Sequence, residues 1–138
     1  MPSELPGPWT LPVAGFEILT VEFSASCMRL VAYVFGGEHC SIDLIGPFEL
    51  REPDGRAHRL DPSSQAWEEL VVLLSLRHDT VAAATATAES DLFVELASGR
   101  TIRIGPDDRF VSWEMSGPGT LDLVAGVGGG DPRWRLDN

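Results

Sequence analysis

Only two cysteines, Cys27 and Cys40, occur in the 138 residues. That is too few for the disulfide framework that staples small secreted domains, so both are read as reduced thiols. Long apolar runs are missing as well. The longest lies near Val71 to Leu76, far short of the roughly 20 residues of a membrane-crossing helix, which excludes such a span. The opening Met1-Pro2-Ser3-Glu4-Leu5-Pro6-Gly7-Pro8 has neither the basic nor the apolar stretch of a secretory leader, so the cytoplasm is the expected location. Positive charge is scarce: ten Lys+Arg stand against 21 Asp+Glu, for a net charge of −11. Such a balance disfavours nucleic acid and anionic membranes, and it suits a basic protein partner or solubility alone.

What is present is ordinary for one globular domain spanning 1–138, with 43% apolar residues and enough chain to bury about two-thirds of its unfolded surface. Residues 1–14 read as an extended N-terminal segment. From Gly15 to Ile45, β-branched and aromatic residues alternate around Gly36-Gly37, which predicts about three strands. Phe48 to Arg51 and Ala57 to Leu60 flank Asp54-Gly55, a hairpin signal. A helix is predicted over about 62–77, between two strand-rich halves. Asp61 would be its N-cap, Pro62 its first residue, and Glu68 and Glu69 would sit near the positive end of its dipole. Trp67, Leu70, Val71 and Leu74 fall at i, i+3, i+4 and i+7, a stripe expected to pack on a sheet. Strands are expected over Thr80 to Ala88, Leu92 to Ala97, Thr101 to Ile104, Phe110 to Met115 and Leu121 to Ala125.

In the hairpin around Gly99, a three-residue loop Ser98-Gly99-Arg100 would set Leu96 against Ile102, Val94 against Ile104 and Glu95 against Arg103. Leu30, Ala32, Val34, Gly37, Ile42, Phe48 and Gly55 align without a gap on Leu92, Val94, Leu96, Gly99, Ile104, Phe110 and Gly117. This reads as an internal duplication, although alternating strands also resemble one another by chance. The expected fold class is therefore α+β: one antiparallel twisted sheet or a pair of sheets, with one amphipathic helix on a face.

Chemistry-bearing patterns are sparse. His39, His58 and His78 lack metal-site spacing, and neighbours His39 and Cys40 would point to opposite faces of a strand. His78 fits a favourable contact with the negative end of the helix dipole. No serine or cysteine occupies a catalytic motif. Asp107-Asp108 reads as a solvated turn, and Gly128-Gly129-Gly130 lacks the following helix that a phosphate cradle requires. Trp113-Glu114-Met115-Ser116-Gly117-Pro118-Gly119 is the most distinctive stretch. It reads as a strand with Trp113 inward and Glu114 outward, ending in a Gly-Pro turn, with a binding hot spot as the alternative. No catalytic, cofactor-binding or metal-binding residue is assigned, and oligomeric state is open.

The segment Leu92 to Trp134 joins a strand-Gly-strand pattern to Pro106-Asp107-Asp108-Arg109-Phe110, Trp113-Glu114, Gly117-Pro118-Gly119, a Gly-Gly run and a last tryptophan. In this it resembles an uncharacterised family of small bacterial proteins, a domain of unknown function, over roughly Phe48 to Trp134. More loosely it is similar to immunity proteins of bacterial toxin systems. Neither resemblance implies particular site residues. The expectation is a non-enzymatic protein-binding module, such as an immunity protein capturing a basic partner. The alternative is a small enzyme or small-molecule binder with a pocket between helix and sheet.

Overall fold

Alternation of apolar and polar residues governs most of the chain, and it produces strands almost throughout. The computed structural model describes residues 8–24, 27–63, 67–119 and 121–134. The strands are β1 (Trp9–Thr10), β2 (Glu17–Phe23), β3 (Met28–Tyr33), β4 (His39–Leu44), β5 (Phe48–Arg51), β6 (Ala57–Leu60), β7 (Val81–Ala86), β8 (Leu92–Leu96), β9 (Thr101–Ile104), β10 (Trp113–Ser116), β11 (Asp122–Val124) and β12 (Arg133–Trp134). They form two six-stranded sheets, ordered β1-β7-β8-β9-β5-β6 and β12-β11-β10-β4-β3-β2. Every pairing is antiparallel.

One face of most strands is buried. Met28, Leu30 and Ala32 of β3 join Cys40, Ile42 and Leu44 of β4, and from the other sheet come Phe48, Leu50, Leu92, Val94, Ile102 and Ile104. Both inner faces belong to one continuous hydrophobic cluster, the arrangement of a β-sandwich. A bridge between Glu17 and Thr80 ties the start of β2 to the chain entering β7, joining the sheets at one corner.

The expected α+β class is overturned. Where a helix over 62–77 was predicted, the described residues hold one four-residue helical turn, α1 (Trp67–Leu70), followed by 3-10 turns over Val71–Leu76. The physical reason is the true period of burial. Leu70, Leu73 and Leu76 are at most 3% exposed, whereas Val71 and Leu74 are 56% and 49% exposed. Buried residues three apart share a face of a 3-10 helix, with its three residues per turn, and drift off the face of an α-helix. The side chain of Trp67, together with residues 64–66, lies outside the described residues, as do residues 1–7. Asp61 accepts hydrogen bonds from the Ser63 N–H and hydroxyl, 3.0 and 2.8 Å away, and so closes a local turn.

The β8–β9 hairpin differs from its expected register by two residues. Val94 faces Ile102, Leu92 faces Ile104 and Glu95 faces Thr101. The loop is Ala97-Ser98-Gly99, because Leu96 N–H donates to Arg100 O and Gly99 N–H to Leu96 O. A slip of two keeps the same side chains inward, so the buried set is the expected one. Gly99, at φ +94, stands at the last loop position, where a bulged three-residue turn requires the left-handed conformation.

The β3–β4 hairpin has the same register, with Leu30 facing Ile42 as Leu92 faces Ile104, each pair of positions 62 apart (92 − 30 and 104 − 42). The correspondence fails further on. Phe48 lies in β5, whereas Phe110 precedes β10 outside any strand. The strands after each hairpin also change sheets: β5 pairs with β9, and β10 pairs with β4.

Candidate binding surface

The exchange of β10 into the second sheet brings the distinctive Trp113 to Gly119 stretch against the β3–β4 hairpin. Trp113 points inward and is fully buried. Its Nε1–H donates to the Ser90 carbonyl at 2.8 Å. Ser90 is itself buried at φ +67, with its hydroxyl bonded to Gly130 O and to the N–H of Gly126. Trp113 therefore anchors the strand, and the residues beyond it reach the surface.

Phe35-Gly36-Gly37 form the β3–β4 loop, closed by Val34 N–H to Glu38 O at 3.0 Å and Gly37 N–H to Val34 O at 3.2 Å. This tight turn leaves Phe35 nothing to pack on, and it is 105% exposed. Tyr33, 39% exposed, faces His39 across the strands, with ring centroids 5.5 Å apart. One hairpin tip thus displays three aromatic rings.

Behind that tip, the Gly117–Gly119 turn closes over His39. Gly117 has φ +70, and a Cβ there would collide with the His39 carbonyl oxygen, so the backbones touch only because the residue is glycine. Between turn and hairpin opens a cleft of about 360 Å³, lined by Glu38, His39, Ser116, Leu121, Asp122 and the turn itself.

Register places the charged residues on opposite outer faces. On the second sheet, Glu17, Glu22, Asp43, Glu114 and Asp122 share the outer face with Arg29 and Arg133. On the first, Glu49 and Glu95 share it with Arg51, Arg59 and Arg103. Five carboxylates against two guanidiniums make the second face the acidic one, and Glu38 adds to it at the tip. Arg29 is engaged by Asp43 at 2.7 Å. That hydrogen bond and charge hold the guanidinium pKa above its ordinary value.

The other residues singled out by sequence serve the fold. Cys40 is buried on the face opposite His39, and burial pushes its thiol up to about 11. Cys27 is also a free thiol, half-buried and raised chiefly by burial. His58 meets Glu52 at 3.1 Å. His78, at φ +74, meets Glu17 at 2.9 Å, so the expected contact with a helix dipole is replaced by a carboxylate on β2. Asp107 accepts from the Arg109 N–H through its carboxylate and from the Gly128 N–H through its carbonyl, which ties two loops together. Among the described residues, no three His, Cys, Asp or Glu side chains converge as metal ligands.

Two larger clefts are open. One of about 510 Å³ lies on the outer face of the first sheet, where Arg103 stacks over Phe93 at 5.0 Å. Another of about 620 Å³ flanks residues 124–133. Among the described residues, neither is lined by Phe35 or Tyr33. Phe35 and Tyr33 are the surface residues that the sequence reading passed over. Their signal was a bulky aromatic directly before Gly36-Gly37, in a tight loop where it could not be buried.

A family model described as a family of unknown function (DUF6188) matches residues 9–135. No curated protein and no solved structure matches the chain. The matched span includes the N-terminal third, beyond the Phe48 to Trp134 stretch that carried the resemblance in sequence.

Proposed function

The chain belongs to that family of unknown function, DUF6188, and from its surface we propose that it is a protein-binding module. In this reading it captures a basic partner with the β3–β4 hairpin tip and the acidic outer face beside it. The observation that carries the reading is Phe35, fully exposed at the tip next to the Tyr33–His39 pair. An exposed phenylalanine gains nothing for the isolated fold, whereas aromatic anchors set in a polar surround typify protein interfaces. The acidic face supports a basic partner, because complementary charge speeds encounter and rejects like-charged surfaces. An immunity protein capping a basic toxin is one form such capture takes.

The test is a photo-crosslinking residue placed at position 35, with position 54 on a different hairpin as control. The protein joined at 35 is then purified and titrated against the wild type and Phe35→Ala. The expected loss is at least about 30-fold in affinity, as for an interface anchor worth 2 kcal/mol or more. Equal affinity of the two forms for the purified partner would overturn the reading.

A further inference from the structure

Two surface features at opposite ends of the second sheet match each other in shape and character. One is the β3–β4 tip with its exposed Phe35. Along β4 and β10, Ser41 faces Ser116 on the side of the tip, and Leu44 faces Trp113 at the far end. Ala125 N–H donates to the Trp113 carbonyl at 3.1 Å, so the chain leaving β11 belongs to that far end. There the cleft of about 620 Å³ opens, with apolar walls from Val111, Val124, Ala125, Val127 and Pro132.

The cleft is held in shape from within. The buried Ser90 hydroxyl accepts from the Gly126 N–H and donates to Gly130 O, which fixes the loop between β11 and β12. Gly126 lies so close to the carbonyl oxygens of Gly130 and Asp131 that a Cβ there would collide with both. Val127 stands on the rim, 49% exposed. A preformed apolar cleft of this volume falls within the range of ligand sites and has room for a phenyl ring. Charge agrees with the match. Exposed Glu38 follows the tip loop, and exposed Arg133 stands on the rim of the cleft, paired across the strands with Val124 and next to Asp131.

We infer that the cleft receives Phe35 of a second copy of this chain, with Glu38 of the incoming tip beside Arg133. Because tip and cleft lie at opposite ends, the contact is heterologous. Every pair still offers a free tip and a free cleft, so association grows into open chains instead of stopping at a dimer. One aromatic in one cleft makes a small interface, at the weak end of specific contacts. Chains therefore form only in concentrated protein, and a partner that covers Phe35 dissolves them. The inference goes beyond the capture of a basic partner and does not depend on it.

The test is sedimentation velocity of the purified full chain from about 10 μM to about 1 mM, a range that brackets weak association. Physiological salt screens the repulsion between copies of net charge −11. The wild type should grow with concentration and pass the mass of a dimer. Phe35→Ala removes the tip anchor. Val127→Asp sets a carboxylate where the ring would have to bury it, at a cost that abolishes the contact. Both positions are exposed, so both variants keep the fold. Each alone should stay monomeric to the highest concentration. Mixed in equal amounts they should form dimers and nothing larger, since one variant still offers its cleft and the other its Phe35. A wild type that stays monomeric would overturn the inference, as would one that stops at a dimer, the sign of a symmetric contact. Either variant associating like the wild type, or a mixture that stays monomeric or grows past dimers, would overturn it too. Crosslinking from position 35 in dilute protein, where copies of the chain stay apart, tests capture of the basic partner separately, so either reading can fail without the other.

Discussion

Asp79 is the residue on which several parts of the fold converge. Its carboxylate accepts from the Ser98 hydroxyl at 2.6 Å, the Ser98 N–H at 3.2 Å, the Thr80 N–H at 3.0 Å and Arg100 at 3.1 Å. Arg100 in turn donates to the Ser75 hydroxyl and carbonyl. The 3-10 segment, the entry to β7 and the β8–β9 loop are thereby pinned together. Burial alone would raise the Asp79 carboxyl, but the donors from Ser98, Arg100 and Thr80 outweigh it and hold the carboxyl below its ordinary value. A depressed folded pKa contributes stability that is fully present above the unfolded value, near 4, and is lost as pH falls through the folded one. The pair is 6% and 14% exposed, so removing one partner strands a buried charge. Asp79→Asn should cost about 3 kcal/mol near neutral pH. Denaturant melts as a function of pH should show the gap from wild type narrowing below about pH 4; a constant gap would mean that the carboxylate charge is not what stabilises.

Among the elements, the stretch that read as a helix makes the sharpest prediction. Leu73 is fully buried while Leu74 is 49% exposed. Leu73→Ala should therefore cost about 2–5 kcal/mol, and Leu74→Ala should fall within about 0.5 kcal/mol of wild type. Chemical denaturation of the two variants decides it, and the reverse order would restore the i, i+3, i+4, i+7 stripe. That stripe misled because its four positions are apolar in sequence, yet the segment, lying beside β2, buries every third residue. Strands were far more legible. Period-2 alternation identifies the inward face of β3, β4, β8 and β9 without reference to partners, which is why the buried set survived a hairpin register wrong by two. Turn chemistry decides register, and Gly99 had to be placed third in its loop rather than second.

For the molecule as a whole, what could not be read was which strands meet. The passage of β5 to β9 and of β10 to β4 joins residues fifty or more positions apart, and local periodicity carries no information on such pairings. The same limit hid the candidate binding surface. Ser116 and Asp122 face each other across the local β10–β11 pairing, and Glu38 joins them only because β10 lies against β4. Phe35 was passed over, although its place directly before Gly36-Gly37 was a local signal. The net charge of −11 was legible from the start, but its division between an acidic and a mildly basic outer face needed the register.

The central claim, capture of a basic protein by the hairpin tip and its acidic face, is tested most directly by stopped-flow association with the crosslinked and purified partner. Rates are compared at low and physiological salt for the wild type and Phe35→Ala. Long-range attraction is screened over about 8 Å at physiological salt, so association should slow about tenfold or more in both proteins between the two conditions. Phe35→Ala should leave association nearly unchanged at either salt and speed dissociation about 30-fold, as truncating a central aromatic acts on release. Association indifferent to salt, with dissociation indifferent to Phe35, would contradict the account.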